Sequence, residues 1–178
     1  MSATDPNVLP HTAFSAWCSG FFARMTGAIS WLWFALMIVI VGNVIARYVF
    51  GEGRVEFEEI QWHLYACGFL FGIAACMESD RHVRVDVLRA SMNPRLRSWI
   101  ELYGLLLLFF PFVALLVVFG VPFVAESFFV NETSSAPGGL PLRWLIKLTL
   151  PLAMILAAVA GLSRLSRVWV HLFGDSRS

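Results

Sequence analysis

Two groups of ionisable residues in this 178-residue chain have spacings that could support chemistry. Glu78, His82 and Asp86 recur every four residues, so a continuous helix would place them on one face, where they could bind a divalent metal. His63 follows Glu59 by one helical turn, an arrangement that could relay a proton or hold a ligand. Each group also has a structural interpretation, which needs neither a metal nor a reaction.

Structural roles account for both groups. Around His82 we expect a helix cap and a pairing of Asp86 with a neighbouring arginine, which would fix the angle between a membrane span and a surface helix. His63 is expected to be hydrogen-bonded to Glu59 at the membrane interface. A bis-histidine haem needs a second histidine at the same depth, and the other three histidines map to the opposite side. We therefore predict no metal, no cofactor and no enzymatic activity.

The composition is that of an integral membrane protein. Hydrophobic residues make up 58% of the chain and charged residues 14%, whereas a soluble domain carries about 25% charged residues. The three cysteines form no CxxC motif, and Cys67 and Cys76 would lie about 13 Å apart on a helix, too far for a disulfide. This argues against a membrane thiol oxidase. No basic tract suggests nucleic acid as a partner, whereas membrane lipids are expected partners.

Four segments are apolar and long enough to cross a bilayer as helices: approximately residues 25–50, 58–78, 100–125 and 144–168. The second contains eighteen residues without Asp, Glu, Lys or Arg, from Ile60 to Met77, and would be about 27 Å long. The N-terminus lacks the basic segment and cleavage motif of a signal peptide, so we expect the first run to remain as a span. The charge-free core of the fourth segment, Leu148 to Ser163, has only sixteen residues, so we expect Lys147 and Arg164 to extend their side chains to the two membrane surfaces. The predicted fold is all-α, a single domain over residues 1–178 with four transmembrane helices.

Two further segments are amphipathic. Residues 82–98 have apolar positions at helical spacing with arginines between them, which predicts a helix lying on an anionic membrane surface. Residues 13–24 have an aromatic face formed by Phe14, Trp17 and Phe21. That pattern fits either a short interfacial helix or the first turns of the first span.

The distribution of basic residues predicts the orientation in the membrane. With both termini on the cytoplasmic side, nine of the 13 basic residues lie inside and four lie outside. Cytoplasmic loops are the ones enriched in lysine and arginine. We therefore predict cytoplasmic N and C termini.

The middle of each predicted span contains no Asp, Glu, Lys or Arg. A transporter that moves a solute by itself usually has ionisable residues or broken helices near the bilayer midplane. The pattern therefore favours an accessory subunit. A self-sufficient small transporter acting as a homodimer is the main alternative, and a membrane redox or metal enzyme is a third.

Small and acidic residues of the second span are candidates for helix packing or subunit contact. Gly68 and Gly72 permit close approach of another helix. Glu58 and Glu59 open the span, where acidic residues favour a helix N-terminus. Alternatively, these two carboxylates bind a partner subunit.

Together these features resemble the small membrane subunit of tripartite ATP-independent periplasmic (TRAP) transporters, the DctQ-like family, over about residues 25–165. The matching residues are Arg47-Tyr48-Val49-Phe50, Glu58-Glu59, Gly72, His82-Val83-Arg84-Val85-Asp86, Asn93-Pro94-Arg95-Leu96-Arg97, Gly139-Leu140-Pro141, Trp144 and Leu150-Pro151. The stretch from His82 to Asp86 after a second span is the most specific of these.

The resemblance implies a multi-pass protein of a bacterial inner membrane that supports a large membrane subunit. That large subunit would carry out sodium-coupled uptake of an organic acid delivered by a periplasmic binding protein. The candidate residues for the partner interface or for structural motifs are Arg47, Glu58, Glu59, Gly68, Gly72, His82, Arg84 and Asp86.

Overall fold

The computed structural model describes residues 9–79 and 92–174. Within those residues the chain forms four long helices and no strand: α1 (Ala13–Val49), α2 (Val55–Glu78), α3 (Pro94–Phe129) and α4 (Trp144–Phe173). Each of the four is long and apolar enough to cross a membrane. The predicted all-α fold with four such helices is confirmed.

The predicted surface helix over residues 82–98 falls largely outside the described residues. His82, Arg84 and Asp86 lie there too, in the stretch 80–91. From Pro94 onward the chain already belongs to α3, with proline in its first turn, where the missing N–H costs no hydrogen bond.

Residues 13–24 are the first turns of α1, which settles the alternative left open by their aromatic face. A capping box starts the helix: the Ser15 N–H donates to Thr12 Oγ1 at 3.1 Å, and the Thr12 N–H donates to Ser15 Oγ at 2.9 Å. A helix of 37 residues is about 55 Å long, which exceeds the roughly 30 Å hydrocarbon core. Helix α1 must therefore tilt in the membrane or extend beyond it.

Helix α3 changes register in its middle. A π-helical turn, Gly104–Phe109, separates two α-helical parts, Pro94–Tyr103 and Phe110–Phe129. Pro111 lies two residues after the end of that turn. Proline has no N–H to donate to the carbonyl four residues earlier, and its ring clashes with that carbonyl in a regular α-helix. The wider turn makes room for the proline ring.

The bundle is organised around α4, which packs against each of the other three helices. In its most apolar stretch 33% of the residues are buried, compared with 11–17% in the others. Alanines and Gly161 on α4 allow this close packing, and Ala153, Ala157 and Ala160 are almost fully buried. The remaining apolar surface of α1, α2 and α3 faces outward.

The two ends of the bundle are distinct. We call the end with the α1–α2 turn and the α3–α4 connection the loop end, and the opposite end the terminal end. Polar contacts between described residues of different helices at the terminal end include Ser19 Oγ to Glu78 Oε1 at 2.8 Å, Thr12 Oγ1 to Ser166 Oγ at 3.0 Å, and Arg164 Nε to Glu101 Oε1.

Candidate functional site

The candidate site lies at the loop end, where the start of α2 meets the connecting loop, residues 130–143. A cavity of about 460 Å³ opens there. Its polar lining comes from both elements: Glu58, Glu59, His63, Ser134 and Arg143. Two predicted site residues, Glu58 and Glu59, are therefore part of one cavity wall.

Glu59 anchors the loop to α2. Its Oε1 accepts a hydrogen bond from Ser134 Oγ, and its Oε2 accepts one from the Leu140 N–H at 2.6 Å. Hydrogen bonds to an ionised acceptor are shorter and stronger than neutral ones. Glu59 thus joins parts of the chain 75 and 81 residues apart.

The loop has a shape that only glycine permits at two adjacent positions. Gly138 has a φ of +78°, a conformation that L side chains rarely adopt. A Cβ on Gly139 would collide with the Ser134 side chain. The Gly139 N–H also donates to the Ala136 carbonyl at 2.9 Å, which closes the turn. The predicted motif Gly139-Leu140-Pro141 therefore positions the Leu140 N–H for Glu59.

We expect Glu59→Ala to release the loop while leaving the four helices in place. The Leu140 N–H and the Ser134 hydroxyl would lose their acceptor, so amide hydrogen exchange over residues 134–140 should accelerate by at least about tenfold. Glu58→Ala is the matched control, because Glu58 neighbours Glu59 in sequence but makes no described contact with the loop. Equal exchange in the two variants would contradict the anchoring role.

A second carboxylate, Glu132, ties the loop to the start of α4. Lys147 Nζ donates to Glu132 Oε2, and Arg143 Nε lies 3.7 Å from Glu132 Oε1. The hydrogen bond from Lys147 lowers the pKa of the Glu132 carboxyl below its usual value. The Glu132 carboxylate therefore stays ionised at neutral pH. Glu132 joins the loop to α4, and Glu59 joins it to α2. No helical or strand spacing links Glu132 to these cations, so sequence reasoning missed it.

Arg47 and Glu58 bring the end of α1 to the start of α2. Arg47 Nη2 lies 3.7 Å from Glu58 Oε1, and the two side chains are 60% and 47% exposed. Such an exposed pair contributes little to stability. Both side chains remain accessible at the surface of the loop end.

The ring of His63 contacts Glu59, but not through the carboxylate. His63 Nδ1 lies 2.5 Å from the backbone carbonyl oxygen of Glu59. Because a carbonyl oxygen only accepts, Nδ1 carries the proton of this hydrogen bond. Among the described residues no group of three or more His, Cys, Asp or Glu could hold a metal ion.

The other predicted site residues are separate from this cavity. Gly68 packs against Trp33, and a Cβ on Gly68 would lie 3.2 Å from the indole ring. A Cβ on Gly72 would meet nothing within 4 Å. Gly68 is thus an α1–α2 packing position, whereas Gly72 borders open space.

Arg164 differs from its sequence-based interpretation. The sixteen-residue charge-free core of the fourth span suggested that Arg164 reaches the membrane surface by extending its side chain. Instead its side chain is only 6% exposed and pairs with Glu101 of α3. Burying the cation against a carboxylate on a neighbouring helix satisfies its charge without extension to the surface.

Comparison with known proteins gives one family. The family model described as "Tripartite ATP-independent periplasmic transporters, DctQ component" matches residues 36–171, which run from the second half of α1 through most of α4. No curated protein and no solved structure matches the chain. The match includes Arg47, Glu58, Glu59 and the loop that Glu59 anchors.

Proposed function

The chain belongs to the DctQ family of TRAP transporter components, the small membrane subunits, and from this premise we propose that it is a rigid scaffold for the large membrane subunit. The large subunit would carry out sodium-coupled uptake of an organic acid delivered by a periplasmic binding protein. The scaffold role is supported by the hydrogen bonds and ion pairs that join different parts of the chain at both ends of the bundle. Glu59 and Glu132 fasten the loop end, and Arg164 with Glu101 fastens the terminal end.

A rigid, anchored body suits elevator-type transport. In that mechanism one domain of the large subunit slides through the membrane against a fixed part. Contacts between α4 and every other helix, together with the fastened ends, resist deformation of the small subunit. Its outward apolar surface would widen the fixed part and anchor it in lipid. The small subunit would thereby keep the fixed part from following the sliding domain.

The proposed orientation places both termini in the cytoplasm of a bacterial cell, with the protein in the inner membrane. The excess of arginine among the inner segments supports it. The loop end then faces the periplasm. Arg47 and Glu58 are exposed there, and we assign them to contact with the partner subunits.

The test is purification of the tagged full-length chain from its native membrane in a gentle detergent, followed by mass spectrometry. An unrelated tagged four-span membrane protein expressed at the same level is the control. Selective recovery of a large membrane protein of many spans would support the scaffold. A chain that purifies alone as a monomer or homodimer, and that transports solute alone in liposomes, would favour the self-sufficient transporter instead.

We expect Arg84→Ala and Asp86→Ala to reduce assembly with the large subunit more than they alter substrate affinity. Both belong to the most specific motif of the family resemblance, while substrate sites are expected on other chains. The two quantities to compare are the yield of the purified complex and the KM for substrate uptake by the whole transporter. A normal yield of complex with a raised KM would contradict this assignment.

A further inference from the structure

The loop-end cavity continues into the apolar part of α2. Its lining along α2 runs from Val55 to Ala66, roughly 16 Å along the helix axis. The second half of that distance belongs to the charge-free stretch that begins at Ile60. Apolar side chains also line the cavity from the α4 side, at Ile146. An occupant that fills the inner part of the cavity must therefore enter the membrane, as a membrane-embedded partner does.

One carboxylate of this cavity can accept a further cation. The Glu58 side chain is 47% exposed, and its Oε1 lies 3.7 Å from Arg47 Nη2. Its other oxygen, Oε2, accepts no hydrogen bond from residues 9–79 and 92–174, and α2 separates Glu58 by about 30 Å from the end where the undescribed stretch 80–91 is attached. Because a carboxylate has about four lone-pair sites, Glu58 can bind Arg47 and a second cation together.

An exposed indole lies one helical turn from Glu58. Trp62 follows Glu58 by four residues, so their side chains share a face of α2, and both line the cavity. Trp62 is 76% exposed, and among the described residues no ring or cation packs against it. A guanidinium can pair with a carboxylate and stack on an aromatic face at the same time. The two side chains together therefore suit an arginine.

The remaining charges of the lining favour a cation over an anion. Glu58 and Glu59 contribute two negative charges, and Arg143 contributes one positive charge that already lies 3.7 Å from Glu132. The Nδ1 of His63 carries the proton of its hydrogen bond to the Glu59 carbonyl, so Nε2 of the neutral ring is an acceptor. An anionic occupant would face both carboxylates, whereas a cation with N–H donors would meet unused lone pairs.

We propose that the cavity receives an arginine side chain of the large membrane subunit. Its guanidinium would pair with Glu58 and stack on Trp62, and apolar side chains of the same partner segment would contact Ala66 and Ile146. A lysine would supply the charge without the planar group that pairs and stacks at once. This inference rests on the scaffold role, since it needs a large subunit, and it adds the chemistry of one contact with that subunit.

Photo-cross-linking in native membranes tests which molecule occupies the cavity. The assembled transporter would carry the photoreactive p-benzoylphenylalanine in place of Trp62. Irradiation should cross-link the chain to the large subunit, and mass spectrometry of the digested product should locate the adduct within a few residues of an arginine. Cross-linking to lipid alone, to the soluble binding protein alone, or to a segment without arginine would overturn the proposal.

Charge reversal tests the ion pair in the same complex. Glu58→Arg should lower the fraction of the chain recovered with the large subunit by at least about tenfold, because it sets like charges against each other. Glu52→Arg is the matched control: Glu52 is 62% exposed at the same end but does not line the cavity, so recovery should stay within about twofold. Replacing the cross-linked arginine by glutamate should restore recovery with Glu58→Arg.

A second variant and the wild type complete the test. If Glu58→Arg fails to fold, Trp62→Ala decides, because it removes only the exposed stacking surface and should lower recovery by about threefold. If the wild-type chain recovers no large subunit, the scaffold role itself fails. If the wild type recovers the large subunit and both cavity variants recover it equally well, only the arginine site is overturned.

Discussion

Arg164→Ala should destabilise the folded chain by about 3–5 kcal/mol, the cost of breaking a buried ion pair by removing one partner. The Arg164 side chain is 6% exposed and the Glu101 side chain 20% exposed, and the pair joins α4 to α3 at the terminal end. Without the guanidinium, the Glu101 carboxylate would remain partly buried and would lose the cation that pairs with it. Equilibrium unfolding in mixed micelles with increasing SDS would measure the loss.

The control for this variant is Arg24→Ala, because Arg24 is an exposed arginine on α1. Its removal should change the free energy of unfolding by no more than about 0.5 kcal/mol. A double-mutant cycle with Glu101→Ala should show a coupling of at least about 1 kcal/mol between Arg164 and Glu101. If Arg164→Ala matched the control, the pair would not stabilise the bundle.

The helices could be predicted from the sequence because the bilayer imposes a local rule. A chain that crosses hydrocarbon must satisfy its backbone internally and remain apolar for about 20 residues. Long apolar runs therefore revealed four helices without knowledge of their neighbours. The same rule does not fix where a helix ends, since α1 begins at Ala13, twelve residues before the predicted span.

The contacts that fasten the bundle could not be predicted in the same way. Glu101 and Arg164 are 63 residues apart, and Glu59 and Leu140 are 81 residues apart. No periodicity links such positions, and their pairing depends on how α4 packs between its neighbours. For Arg164, the length of a single span predicted that the side chain would extend to the membrane surface. Instead, the packing of α4 against α3 buries the side chain beside Glu101.

The candidate site was partly accessible from sequence. The sequence identified Glu58 and Glu59 as candidate residues because few charged residues occur at the start of a membrane span. It could not distinguish their roles: Glu59 accepts hydrogen bonds from the loop, whereas Glu58 is exposed beside Arg47. Which of two adjacent carboxylates is anchored depends on the loop that reaches it. Ser134 of that loop lies 75 residues after Glu59 in the sequence.

Gly161→Ala should also lower the free energy of unfolding, although by less than Arg164→Ala, because α3 and α4 are in close contact at Gly161. A Cβ there would lie 2.5 Å from Phe109 Cε1 and 3.3 Å from Phe110 Cζ. Phe109 is partly buried and packs against both clusters of buried residues in the bundle, so a shift of its ring would disturb those contacts. Overpacking of this kind costs about 1–3 kcal/mol.

The measured value must be separated from the intrinsic preference of alanine for helices, which favours it over glycine by about 0.5–1 kcal/mol. Gly42→Ala supplies that reference, since Gly42 is an exposed α1 residue where an added Cβ meets nothing within 4 Å. The difference between the two variants in SDS unfolding then isolates the α3–α4 contact. Equal stabilities would mean that the Phe109 ring moves aside at no measurable cost, and that Gly161 is not needed for the α3–α4 contact.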